Sequence, residues 1–553
     1  MSSRIGMQPV SASNIPSKTG GEEPRPPTKE ELISIAKDYG TAAKRAVNAG
    51  FDLVEIHAGH SYLISQFLSP LMNDRTDEFG GSAENRARFC RMVIDEVRKA
   101  VGPKVPISLR LSVDELVAGG NTMEDCLEYL EYLNDEVDLF DTSAALNQSI
   151  QYQIDVNYLK DGWRSYMAKA VREKFQKPTI AMGNIRDPKV ADEIIARGDA
   201  DFIGMGRGLI ADPNWCNKAQ YGDVADIRKC ISCNVGYVDN RIGGNKPIRC
   251  SINPDLIYGE EYKRTKVQKE CNVVVVGAGT AGLEAACTAA EVGCNVVLLE
   301  KEQQVGGLSV QISKIPAKTR LADFPTYLKH RAEKLENLKI VTGVDATVET
   351  VKAYQPDLVV NATGSVPMLP PIEGLHENLQ KDDAKVYCIH DMIDHLNDYP
   401  EDLTGKKVAV IGGDAVGLDV VEFFAPRGAE VTIVEMMGAI GNGLDASSTS
   451  SMNECMEKYH VRKMVNTALT KVNADSFEVK YDGKEETLPF DYGFVCLGMK
   501  AYAPIWEEMQ KAFTGEDVEV LNIGDFVRAR RIIDGVDAGR HLVLNTLDRL
   551  GFR

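Results

Sequence analysis

Three groups of residues in this 553-residue sequence have types and spacings that can do chemistry. His57, His60 and Tyr62 follow the end of one short apolar strand within six residues, so several hydrogen-bond donors could converge there. Two imidazoles and a phenol held together can polarise an oxygen and deliver a proton; the plainer alternative is a set of satisfied structural groups. Cys230, Cys233 and Cys250 offer three soft thiolates. Zinc suits them poorly, because three sulfurs with no nearby histidine leave its tetrahedron unfilled. The alternative is a loop with leftover thiols. Gly277, Gly279 and Gly282 form a G-x-G-x-x-G turn, with Glu300 ending the following strand. Gly277 permits the turn, Gly279 lets a pyrophosphate approach the backbone, and Gly282 lets helix and strand pack closely. Glu300 stands where a carboxylate would hold a ribose hydroxyl.

The elements that position these residues can be read around them. Cys271 to Glu300 is an apolar strand, a glycine turn, an Ala-rich helix over about 280–292 and a second strand, Asn295 to Leu299. An ordinary strand-turn-helix is the alternative. The free N–H groups of the helix start favour phosphate. The unit recurs: one 135-residue offset carries Gly277 onto Gly412 and Glu300 onto Glu435 (412 − 277; 435 − 300), with Gly417 in the place of Gly282. Glu435 favours NAD over NADP, since a carboxylate repels a 2′-phosphate. In the front half, Thr28 with Glu31 predicts a capped helix ending at Gly50. Strands are expected at Leu53–His57, Ile107–Leu111, Leu139–Thr142, Thr179–Met182 and Phe202–Met205, with helices between. That alternation predicts a parallel sheet, open or closed into a barrel. The Arg75–Arg86 stretch reads as a loop clamp and helix cap.

A net charge of −18 without a basic cluster argues against nucleic acid, and no apolar run reaches membrane-spanning length. The leading segment has no apolar core of a secretory signal, and the scattered cysteines suit a reducing cytoplasm. A homo-oligomer is left open.

The stretch VEIHAGHSYLISQFLSPLMNDRTDEFGGSAENRARF, with PISLRLS, AMGNI and FIGMGRGLIADPNW, resembles the flavin barrels of the old yellow enzyme family. Within it the resemblance is to the branch of 2,4-dienoyl-CoA reductase, trimethylamine dehydrogenase and clostridial enoate and bile-acid reductases. It implies an α/β fold: a partial (β/α)8 barrel for FMN and substrate at 1–222, then an iron–sulfur segment at 223–268. An FAD-binding domain follows at 269–370 and 504–553, with a nested, Rossmann-like NAD(H)-binding domain at 371–503. Arg110 matches the arginine beside the flavin, and Gly183, Asn184, Gly206 and Arg207 match its phosphate cradle. His57 and His60 fall where the family holds the substrate carbonyl or amine, and Tyr62 where it places a proton donor. Gly306, Gly307 and the expected strand LVVNATGSVP (Leu358–Pro367), which includes Gly364, extend the resemblance to FAD-dependent pyridine-nucleotide reductases. Asp525 in VLNIGDF falls at their ribityl contact.

Three departures accompany this. The strand at Leu53 resembles the family's fourth, so three barrel strands are missing from these residues. The family's third cluster cysteine is Tyr237 here, which leaves a [4Fe–4S] cluster with an unprotected iron, a [3Fe–4S] form or no cluster. Asp414 stands where the second repeat wants its middle glycine, and an acid there predicts weakened or altered nucleotide binding. The resemblance implies an NADH-dependent reductase of an activated C=C bond in an enoyl-CoA, dienoyl-CoA or steroid enone. The alternatives are an NADH diaphorase, an amine dehydrogenase-like electron-transfer flavoprotein, and a non-catalytic nucleotide-binding relative.

Overall fold

The computed structural model describes residues 6–18, 21–502 and 505–553, so the boundary expected between 503 and 504 lies outside the described residues, as do residues 1–5 of the leading segment. The chain forms two compact units, 1–208 and 209–553.

The first unit is one parallel sheet in sequential order, β1 (Val54–Ala58), β2 (Ile107–Ser112), β3 (Leu139–Ser143), β4 (Thr179–Ala181) and β5 (Phe202–Ile203). It is open, with β1 and β5 as its edges, as a partial barrel requires. The register sets His57 beside Arg110 and Arg110 beside Asp141. Because residues in register point the same way, those three side chains share one face. The helix Lys29–Asn48 begins at Thr28 with a full capping box to Glu31 and stops just before Gly50 (φ +96°). It lies tight against the helix Ala83–Val101: a Cβ on Gly40 would come within 2.7 Å of the Glu96 carbonyl oxygen. Leu32 and Ala36 bury there with Val93, Ile94 and Val97. The last two strands are shorter than expected. β4 gives way to Gly183 (φ +124°) and Asn184 (φ +52°), whose left-handed backbone cannot continue a strand, and β5 runs into Gly204 and Gly206.

The second unit holds two nested parallel sheets. In the first, β6 (Asn272–Val276), β7 (Asn295–Leu299), β8 (Leu338–Val341) and β9 (Leu358–Asn361) are completed by β20 (Glu519–Asn522), in the order β20-β9-β6-β7-β8. The second contains β11 (Val386–Tyr387), β12 (Lys407–Ile411), β13 (Glu430–Val434), β14 (Arg462–Met464) and β18 (Tyr492–Val495), in the order β11-β18-β12-β13-β14. An antiparallel trio, β15 (Ala468–Val472), β16 (Ser476–Tyr481) and β17 (Lys484–Pro489), is inserted before β18. The run LVVNATGSVP, expected as one strand, is two. Gly364 (φ +79°) turns the chain after β9, and β10 (Ser365–Pro367) pairs instead with β19 (Met499–Ala501). Among the described residues no helix is long and apolar enough to cross a membrane.

Candidate active site

In the first unit the sheet brings the predicted catalytic group together. His57 lies in β1, and the chain then turns through His60 and Ser61, both at positive φ (59° and 62°). That turn folds the side chains back: the His57 ring centroid is 5.0 Å from that of His60 and 5.2 Å from that of Tyr62. The His60 backbone N–H donates to Ser112 Oγ at the end of β2, and its Nε2 shares a 2.7 Å hydrogen bond with Ser143 Oγ at the end of β3. His60 is buried, His57 is half-buried and Tyr62 is 62% exposed, so the phenol faces the open side. Burial holds the His60 pKa down to about 3, helped by His57, Arg110 and Arg164. Burial, then Arg110, also lowers that of His57. Both rings are therefore neutral at pH 7, each able to donate one N–H.

Beside them lies a row the sequence reading passed over. Asp141 Oδ2 stands 3.6 Å from Arg110 Nη1. Burial lifts the Asp141 pKa to about 6 against the pull of Arg110, and the neighbouring Glu55 pushes the same way. Its signal was an acid inside an otherwise apolar strand, Leu139 to Thr142, which alternation alone leaves unassigned. His57 Nδ1, Arg110 Nε and Asp141 Oδ1 are all buried without a hydrogen-bond partner. Orphaned polar atoms of this kind are rare, and three in one row fit a polar group seated against them.

The predicted phosphate residues also converge. Arg207 Nη2 donates to Asn184 Oδ1 (3.0 Å) and pairs with Asp155 Oδ2 (3.2 Å), which also accepts the Asn184 backbone N–H at 3.2 Å. Trp163 Nε1 donates to the other Asp155 oxygen at 2.8 Å. Asp155, buried and missed by the sequence reading, thus fixes the cradle from below. Gly183 is needed for space as well as conformation, since a Cβ there would meet Arg164 Cγ at 2.8 Å. Gly206 is open, with nothing within 4 Å of its virtual Cβ.

In the second unit the two repeats are built alike. A Cβ on Gly277 would strike the Ala362 carbonyl oxygen at 2.4 Å, and one on Gly412 the Cys496 oxygen at 2.0 Å. One on Gly282 or on Gly417 would reach the oxygen of its own first glycine at 1.9 Å. Glu300 accepts the N–H of Ala278 (2.6 Å) and of Glu302 (2.9 Å), and Glu435 those of Gly413 and Met437 (both 2.7 Å). Each carboxylate first clasps its own turn and keeps lone pairs for a further donor. Around the first turn, Gly306 bridges to Gly279 and the virtual Cβ of Gly307 lies 3.0 Å from the Gly279 Cα. Gly524 packs on Ala281, and the adjacent Asp525 accepts from Ser365 Oγ at 3.0 Å. Gly364 has open space about it. Apart from Gly364, the residues predicted for FAD therefore gather about one helix N-terminus.

Cys230, Cys233 and Cys250 are half-buried against one apolar core patch. Burial raises the pKa of Cys233 and pushes that of Cys250 up to about 12, with Cys230 adding to both. Among the described residues no group of three or more His, Cys, Asp or Glu side chains gathers as ligands of a single metal ion. Tyr237 lies in a wide π-helical turn, Val235–Gly243, pressed so closely that a Cβ on Gly236 would meet the Arg249 oxygen at 2.1 Å.

The description "NADH:flavin oxidoreductase / NADH oxidase family" matches residues 7–225, and "pyridine nucleotide-disulphide oxidoreductase" matches 257–324 and 271–520. An NADH oxidase of Thermoanaerobacter brockii is 36% identical over 97% of this chain and 81% of its own length. A bilirubin reductase of Mediterraneibacter gnavus is 33% identical over 94% and 79%. A solved 2-naphthoyl-CoA reductase in complex with 2-naphthoyl-CoA superposes with a TM-score of 0.85 at 29% identity, covering 97% of this chain and 80% of that one. With a flavin-barrel sheet followed by two dinucleotide repeats, this chain belongs to the NADH:flavin oxidoreductase / NADH oxidase family and is a flavin enzyme of FMN, FAD and NAD(P)H.

Proposed function

We propose that the chain reduces the activated C=C bond of a small α,β-unsaturated carbonyl compound, an enoate, enoyl-CoA or steroid enone, at the expense of NADH. The observation that carries this reading is the meeting of His57, His60 and Tyr62 beside three orphaned polar atoms. The neutral His57 and His60 donate N–H groups to the substrate carbonyl oxygen and so draw electron density from the β-carbon. Because neither ring carries a charge, the oxygen is polarised without being protonated. Tyr62, the exposed member, delivers its phenolic proton to the α-carbon. FMN, when bound, supplies the hydride that the β-carbon takes up. Arg110 would lie beside that cofactor's ring, and Gly183, Asn184, Gly206 and Arg207 would hold its phosphate. Gly277, Gly279, Gly282, Glu300, Gly307, Gly364 and Asp525 hold FAD, while Gly412, Gly417 and Glu435 hold NAD(H). Cys230, Cys233 and Cys250 would offer three thiolates to an iron–sulfur cluster, in which Tyr237 leaves one iron without a cysteine ligand.

The test is cofactor analysis joined to turnover. Equimolar FMN and FAD, with NADH-driven loss of an enoate or enoyl-CoA double bond, supports the reading. Tyr62→Phe is then expected to lower turnover by roughly 100-fold or more while leaving both flavins bound. FAD alone, with NADH reducing only an artificial dye, would make the chain a diaphorase instead.

A further inference from the structure

We propose that Asp414 sets the affinity of the second nucleotide module: a built-in anion on the helix N-terminus that keeps dinucleotide binding loose and exchangeable. This rests on the reading above that the second module takes NAD(H).

The comparison is internal to the chain. Asp414 and Gly279 occupy the same place in the two repeats, each the N-cap of the helix that follows the glycine turn. Gly279 makes no side-chain cap, and nothing lies within 4 Å of where its Cβ would be, so the first helix presents its N–H groups to whatever docks there. Asp414 closes the second. Its Oδ1 accepts the backbone N–H of Val416 at 3.1 Å and of Gly417 at 3.5 Å, and its Oδ2 lies 3.6 Å from the virtual Cβ of Gly498. The N–H groups a pyrophosphate would use are thus already satisfied, by a group of the same charge as the ligand.

The surroundings do not neutralise that group. Glu435, just after β13, faces it, Asp419 lies beyond it on its own helix, and Cys496, just after β18, lies beside it. Lys318, which reaches the same helix, is engaged with Asp419 (3.0 Å) and Glu422 (2.9 Å). Burial and Glu435 raise the Asp414 pKa despite its two N–H donors. A pyrophosphate entering here must displace the carboxylate, or meet it protonated. The two modules then divide by task. FAD stays through every cycle and has the open anchor, whereas the dinucleotide must leave after each hydride transfer and has the occupied one.

The experiment is calorimetric titration of the flavin-loaded protein with NAD⁺, which does not react with oxidised flavin, at pH 8. Asp414→Gly, which restores the arrangement of the first repeat, is expected to tighten NAD⁺ about tenfold or more at pH 8, with FAD content unchanged. Asp414→Asn keeps a cap acceptor without the charge and should tighten NAD⁺ by less than Asp414→Gly does. An unchanged or weaker Asp414→Gly complex overturns the inference while the module remains an NAD(H) site. Loss of binding in every form overturns the assignment of the module itself, and the inference with it.

Discussion

The two histidines show how burial decides what a side chain can do. An exposed imidazole titrates near pH 6.5, but His60 sits under Ser112 and Ser143 with Arg110 and Arg164 nearby, and protonates only near pH 3. Its chemistry is that of a fixed neutral dipole. This has a consequence for stability. Between pH 6.5 and about 3 the unfolded chain binds a proton at His60 that the folded chain does not, so stability rises with pH across that window and is constant above it. His60→Gln removes this contribution. In urea unfolding from pH 7 down to pH 4, the variant's midpoint should fall less steeply than that of the unmodified protein. Parallel slopes would mean that His60 gains a proton without cost, and that its ring is not held neutral.

At the scale of elements, the glycine turns separate packing from binding. A methyl on Gly282 would collide with the Gly277 carbonyl oxygen at 1.9 Å, so Gly282→Ala should destabilise the first repeat itself. Gly279→Ala adds a methyl into open space at φ −69°, a conformation any residue adopts. That variant should melt within a few degrees of the parent once flavin is removed, yet lose FAD affinity by about tenfold or more, read by equilibrium dialysis. If Gly279→Ala binds FAD as the parent does, the pyrophosphate does not approach there. These turns were legible in the sequence because glycine spacing and strand-helix periodicity agree, and β7 runs over Asn295–Leu299 as expected. LVVNATGSVP was less legible. Its apolar alternation passes straight through Gly364, and only the pairing of β10 with β19, more than 130 residues later, shows that the chain has changed sheets. Asp141 and Asp155 escaped for a related reason: what makes them matter is strand register and a long-range partner, and neither leaves a local pattern.

Over the second unit as a whole, the nested chain order poses a problem that buried charge resolves. The strand β20 returns to its sheet only after the entire second module has intervened, so the last residues must be drawn back against the first repeat. Arg540, 1% exposed, provides the clasp. Its Nη2 donates to Glu284 on the first repeat's helix at 2.6 Å, its Nε donates to Thr288 at 2.9 Å, and it pairs with Asp255 from the cysteine segment. Arg331 holds the other Glu284 oxygen at 2.9 Å. Gly539 packs alongside, where a Cβ would meet the Ala281 oxygen at 2.6 Å. These arginines hold the buried Glu284 pKa down to about 2 although desolvation alone would raise it. Removing one partner of such a cluster leaves carboxylates short of compensation, which costs about 3 kcal/mol or more. Arg540→Ala should therefore lower the melting temperature by several degrees and release FAD sooner than NAD⁺, because the clasp grips the helix that bears Gly279. If Arg540→Ala melts like the unmodified protein, the closure of the nested unit rests on apolar packing about Val543 and Leu547, and the ion cluster contributes little to it.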